Sequence, residues 1–147
     1  MGSIIGGLYA LGYTPEEMDE IIKNVDWSQI LGNNVENTFN DLSAGYQDSI
    51  DFRSLPIPFA CVTTNMLDGS ETVLSSGKIS QAMRSSMAIP IIFAPMEYNN
   101  MLLVDGGMVN NFPTDICREM GADIIIGVEL SKASRPTCPM SSPCREC

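Results

Sequence analysis

The sequence contains no histidine. A Ser-His-Asp or Cys-His catalytic arrangement therefore cannot be assembled from this chain alone, and neither can a His-ligated metal site. Positive charge is scarce: 8 Lys+Arg stand against 18 Asp+Glu, a formal net charge of −10. A grip on nucleic acid needs a basic patch, so no nucleic-acid partner is expected. Purely electrostatic docking on anionic lipid is disfavoured for the same reason. Long apolar runs are missing as well. The best stretch, Met87 to Met96, is interrupted by Pro90 and Pro95 and falls short of the roughly 18 residues of a membrane-spanning helix. No basic segment leads into an apolar one at the N-terminus, so no signal peptide is visible and the compartment stays open.

What is present suits one folded domain. The chain has 147 residues, 44% of them hydrophobic and 18% charged, which argues against a wholly disordered polypeptide. Five cysteines is an odd number. Cys61 and Cys117 sit in apolar segments and are expected as buried free thiols. Cys138, Cys144 and Cys147 crowd the tail, and three ligands without a fourth make a poor structural zinc site. The tail from Ser131 to Cys147 is rich in Pro, Ser and Cys without periodicity, so disorder is expected there.

Gly2 to Leu11 has helical spacing of Ile4, Ile5, Leu8 and Leu11 and very little polar surface. Gly2 and Gly6 lie one turn apart, and tight packing of that face against a sheet is expected; Gly12 ends the helix. Thr14, Pro15, Glu16 and Glu17 form a helix start with reciprocal capping between Thr14 and Glu17. That helix is expected to run to Asn24 and to bury Met18, Ile21 and Ile22. Trp27, Ile30 and Leu31 suggest a further helical turn. Gly32 to Asp51 is polar and is read as a surface loop.

Ile57 to Thr64 is rich in β-branched and aromatic residues and predicts a strand. Leu67 to Ser70 supplies a turn, and Thr72 to Leu74 returns as its partner. Lys78 to Ala88 predicts a helix closed by Pro90. Met101 to Val104 predicts a strand, Pro113 to Met120 a helix ended by Gly121, and Asp123 to Leu130 a strand buried on both faces. Strand, helix and strand between Met101 and Leu130 form a βαβ pattern, which implies parallel pairing and a three-layer α/β core.

Three segments carry chemistry. In Leu102-Leu103-Val104-Asp105-Gly106-Gly107 an apolar strand delivers an acid at its carboxyl end, where ligands of open α/β sheets bind. The two glycines leave the carboxylate open and let another backbone approach. The ordinary alternative is a tight turn in which Asp105 caps its own loop. The N-terminal apolar helix, opening on Gly2, is of the kind that follows a nucleophile elbow. Ser3 is not that nucleophile, because Gly-x-Ser-x-Gly around it would need glycine at Met1 and Ile5; a small helix-packing residue is expected. In the third segment Arg84, Ser85, Ser86, Pro90 and Phe93 are candidates for the wall of an apolar pocket, with ordinary helix-loop packing as the alternative.

Together these segments resemble the patatin-like phospholipase family, in its bacterial branch. Met1 to Tyr13 looks like what directly follows the family's nucleophilic serine. Ala60-Cys61-Val62-Thr63-Thr64 and Arg84-Ser85-Ser86-Met87-Ala88-Ile89-Pro90 are similar to two inner family segments, and Val104 to Pro113 to its catalytic-aspartate motif. Gly121-Ala122-Asp123 leading into Ile124 to Val128 is also typical. The resemblance covers roughly residues 1–130, with 131–147 as a non-family tail. It implies a three-layer α/β fold with a mainly parallel sheet. It further implies a cofactor-independent Ser-Asp dyad that cleaves acyl esters of lipids, with possible peripheral membrane contact. By position Asp105 is the base, with Gly106 and Gly107 in its motif. Gly2 is the last glycine of Gly-x-Ser-x-Gly, and the Met1 N–H helps hold the oxyanion. The serine, its strand and the glycine-rich oxyanion loop would all precede Met1. The chain is therefore expected to be truncated and nearly inactive as it stands. The alternatives are a non-enzymatic pseudo-hydrolase that binds lipid or a partner and, more remotely, a nucleotide-binding α/β domain, for which the G-x-G-x-x-G pattern is missing.

Overall fold

The computed structural model describes residues 2–24, 35–46 and 48–128. The chain divides into two compact units, Met1–Pro113 and Thr114–Cys147. The expected turn at Trp27, Ile30 and Leu31 and the expected tail disorder lie outside the described residues.

The first unit opens with α1 (Gly2–Ala10) and α2 (Pro15–Asn24). Gly12 separates them at φ +100°, in the left-handed region that glycine adopts without cost. α2 begins with the reciprocal cap the sequence predicts. The Thr14 N–H donates to Glu17 Oε2 at 2.8 Å, and the Glu17 N–H donates to Thr14 Oγ1 at 3.3 Å. The Thr14 N–H and, at 2.9 Å, the Thr14 hydroxyl both donate to Glu17 Oε2, and these two bonds to the charged carboxylate hold the Glu17 pKa below its ordinary value. Of the three residues expected to be buried on α2, Met18 is buried, Ile21 is half-buried and Ile22 is exposed.

α1 does not bury its glycines against a sheet. A Cβ on Gly7 would lie 2.4 Å from the Met83 sulfur, and one on Gly6 would touch the Phe59 ring at 3.4 Å. Gly7 is thus the close-approach residue, and its neighbour is a helix. That helix, α4, spans Ile79–Ser86. The stretch expected as a polar loop contains α3 (Val35–Leu42), which places Phe39 in the core at 2% exposure.

A four-stranded sheet follows, built from β2 (Cys61–Asn65), β3 (Glu71–Leu74), β5 (Met96–Tyr98) and β6 (Met101–Asp105) in the order β3-β2-β6-β5. Two short strands, β1 (Ile50–Asp51) and β4 (Ser76–Gly77), pair separately. α4 packs on β2 and β6, and α1 and α3 pack on α4. The core gathers Leu8, Phe39, Phe52, Ile79, Met83 and Leu103. Phe52 and Phe59 pack as a tilted pair at 5.9 Å.

The chain is α/β, but its described sheet is not the mainly parallel one that the sequence suggests. Every described strand pair is antiparallel. β6 has β2 on one edge and β5 on the other, so a parallel neighbour finds no free edge. β5 comes from a hairpin in which Asn99 and Asn100 both have positive φ, 47° and 61°, the conformation of a two-residue type I′ turn. In the second unit α5 (Thr114–Glu119) forms and Gly121 ends it at φ +93°. Residues 123–128 form no strand, which removes the second half of the βαβ pattern.

The two thiols differ. Cys61 is buried on β2, and burial pushes its pKa up to about 12. Cys117, expected to be buried, is exposed on α5, a helix of the second unit with no buried residue. The thiolate is the reactive species. Mass-mapped alkylation of the native chain near neutral pH is therefore expected to modify Cys117 and spare Cys61 until the chain unfolds. Equal labelling of the two in the native state would contradict the burial of Cys61.

Candidate active site

Asp105 ends β6, as the sequence places it. The strand's apolar run explains the position: Leu103 and Val104 are buried at 0% and 1%, and the acid emerges half-buried where the strand stops. Its backbone is fixed from two sides. The Asp105 N–H donates to Ala88 O at 3.0 Å, and Thr64 Oγ1 donates to Asp105 O at 3.0 Å. Its carboxylate accepts the Gly107 N–H through Oδ1 at 2.7 Å. This is the self-capping turn that stood as the ordinary alternative, and it also orients the carboxylate. One oxygen is committed to the backbone, which restricts rotation of the other.

Gly106 and Gly107 have different reasons to be glycine. A Cβ on Gly106 would sit 2.3 Å from the Val62 carbonyl oxygen. The loop after β6 therefore lies directly on the β2 backbone. A Cβ on Gly107 would meet Asn111 Oδ1 at 2.8 Å and Asp105 Oδ1 at 3.1 Å. Side chains, not backbone, crowd that second position.

The helix end beside the loop contributes through Ser86, whose Oγ donates to Val62 O at 2.8 Å. Asp105, Gly106 and Ser86 thus converge on the Val62–Thr64 segment. Ser85 faces inward and donates to Gln81 O at 2.8 Å. Arg84 donates from Nη2 to Ala94 O at 3.1 Å, and its guanidinium lies 5.4 Å from the Phe93 ring centre. It ties down the outgoing limb of the loop that Pro90 begins. Pro90 and Phe93 are both half-buried. Between them Ile91 is fully exposed at φ +78°, a strained conformation for a β-branched residue. Gly2 opens α1, and a Cβ on it would meet nothing within 4 Å. Met1 lies outside the described residues. Ser3 is half-buried, with its Oγ buried and without a hydrogen-bond partner, as a packing residue would be.

Two residues that the sequence reading places only within longer segments support the site individually. Thr64, in the strand and in the Ala60–Thr64 segment, holds the Asp105 carbonyl. Asn110 donates from Nδ2 to Glu71 Oε1 at 3.0 Å and pins the loop after Asp105 to the edge strand β3. No spacing rule links positions 39 residues apart; only the pairing of β2 with both strands brings them together.

Among the described residues no helix is long and apolar enough to cross a membrane, and no group of three or more His, Cys, Asp or Glu could hold a metal ion.

Several known proteins are similar to this chain. An uncharacterized NTE family protein of Mycobacterium tuberculosis is 29% identical over 140 residues, covering 89% of this chain and 39% of that protein. A putative patatin-like phospholipase domain-containing protein of Caenorhabditis elegans is 26% identical over 156 residues, 93% of this chain and 14% of that protein. A lysophospholipase of Meyerozyma guilliermondii is 23% identical over 154 residues, 96% of this chain and 11% of that protein. The chain thus spans two fifths or less of the length of these relatives. The sequence pattern described as patatin-like phospholipase matches residues 1–118, including Asp105 and both glycines after it, and the chain belongs to that family.

Proposed function

We propose that this chain is the aspartate-bearing portion of a serine lipid acyl hydrolase of the phospholipase A or esterase type. Residues 1–130 form the family portion and 131–147 a tail outside it. Asp105 is the general base of a Ser-Asp dyad. It takes the proton of a serine hydroxyl as that oxygen attacks the ester carbonyl and passes it to the alcohol that departs when the ester C–O bond breaks. Water, giving its proton to Asp105, then cleaves the acyl-serine to the free acid, and that proton returns to the serine oxygen. Gly2 continues the nucleophile elbow, and the Met1 N–H stabilises the oxyanion. No cofactor takes part.

The observation that carries this reading is the Asp105 carboxylate at the carboxyl end of β6, oriented by the Gly107 N–H at 2.7 Å and followed by two close-packed glycines. The absence of histidine suits a dyad in which the carboxylate itself is the base. Within the uncharged run Met87–Met96, Ile89, Ile91 and Ile92 are exposed, which suits a surface that meets lipid peripherally.

The test compares this chain with one extended N-terminally through a glycine-rich loop, a strand and a Gly-x-Ser-x-Gly turn. A p-nitrophenyl ester is expected to be turned over by the extended chain and not by the short one. Robust turnover by the short chain, or none by a folded extended chain, would overturn the reading.

A further inference from the structure

A cavity of about 300 Å³ lies away from Asp105, where the turn after α1, the first turn of α2 and the end of α3 meet. Its walls are Leu11, Gly12, Tyr13, Glu17, Asp41 and Tyr46, with Leu42, Ala44 and Gly45 completing it. Tyr13 Oη donates to Leu42 O at 2.8 Å and so bridges the two sides. The glycines leave room, since a Cβ on Gly12 or on Gly45 would meet nothing within 4 Å.

The lining has one sign of charge. Glu17 and Asp41 contribute carboxylates, and neither Lys nor Arg is among the lining residues. The Thr14 N–H and hydroxyl both donate to Glu17 Oε2, so the positive end of α2 is already answered by its own cap. The carbonyl ends of α1 and α3 border the cavity and add partial negative charge. Among the described lining residues no cationic side chain is offered to an anionic ligand. A metal ion is also a poor fit, because two carboxylates fall short of the ligand set a divalent cation needs. Two tyrosines beside two carboxylates are instead the surroundings that organic cations favour, since ring faces attract a weakly hydrated positive charge.

We propose that this cavity binds a small quaternary-ammonium cation, a trimethylammonium group between Tyr13 and Tyr46 with Asp41 and Glu17 as counter-charges. The site is separate from Asp105, and the proposal does not depend on the hydrolase reading.

The test titrates choline chloride into the full chain, followed by amide NMR, beside dimethylbutanol, the uncharged carbon isostere of choline. Saturable shifts are expected at Gly12, Tyr13 and Gly45, with the isostere weaker by about tenfold. Asp41 is exposed, so Asp41→Asn is expected to leave the fold intact and to weaken choline by about threefold or more. Tyr46→Leu is expected to weaken it similarly. The proposal is overturned if the isostere binds as well as choline, if folded Asp41→Asn binds choline unchanged, or if no saturable shift occurs at these amides.

Discussion

Asp105→Asn in the extended, active chain is expected to lower kcat for ester hydrolysis by about 10⁴-fold or more, with KM little changed. The substitution is nearly isosteric. The amide oxygen still accepts the Gly107 N–H that Oδ1 accepts now at 2.7 Å, so the turn and the fold persist. What disappears is proton affinity at the end of β6. Gly107→Ala makes a graded comparison. Its added methyl would press on Asn111 Oδ1 and on Asp105 Oδ1, at 2.8 and 3.1 Å, while leaving the carboxylate's chemistry unchanged. It is expected to cost activity through orientation and to lose less than Asp105→Asn. If Asp105→Asn retained wild-type kcat in an extended chain that does turn over ester, Asp105 would not be the base.

The site was more legible in the sequence than the sheet around it. An apolar run ending in Asp-Gly-Gly states locally where a carboxylate leaves a strand, and β6 follows that statement. The Thr14–Glu17 cap is similarly local: three residues suffice to define it, and α2 runs to Asn24 as expected. Pairing direction is not local. Asp123–Leu130 reads as a buried strand because residues 124–128 are uninterrupted by polar side chains, yet apolarity supplies no edge to pair with. Both edges of β6 are taken, one of them by β5, through a hairpin that lies outside the strands expected from the sequence. The signal for it was the Asn99-Asn100 pair, which tolerates the positive φ that a tight hairpin demands. α3 was missed for a different reason. Its composition is polar enough for a loop, and one deeply buried residue, Phe39, decides its helical placement.

Gly106→Ala is expected to be the most damaging single methyl added to the chain, at about 3 kcal/mol or more in denaturant melts. Conformation is not the cause, because Gly106 is not among the glycines with positive φ. Space is the cause. The new Cβ would stand 2.3 Å from Val62 O, 2.5 Å from Val62 C and 3.0 Å from the Thr63 nitrogen. All three are backbone atoms of β2, which is hydrogen-bonded to β3 on one side and β6 on the other. Relief therefore requires moving an interior strand, and with it the Thr63↔Asp105 register that presents the acid. Gly69→Ala separates the two kinds of cost. Gly69 sits at φ +73° with open space around its Cβ, so only backbone strain is incurred, about 1 kcal/mol. The expected order is Gly106→Ala well below Gly69→Ala, and Gly69→Ala slightly below the parent chain. Equal melting of the two variants would mean that the loop after Asp105 does not rest on the β2 backbone, and the orientation assigned to the carboxylate would go with it.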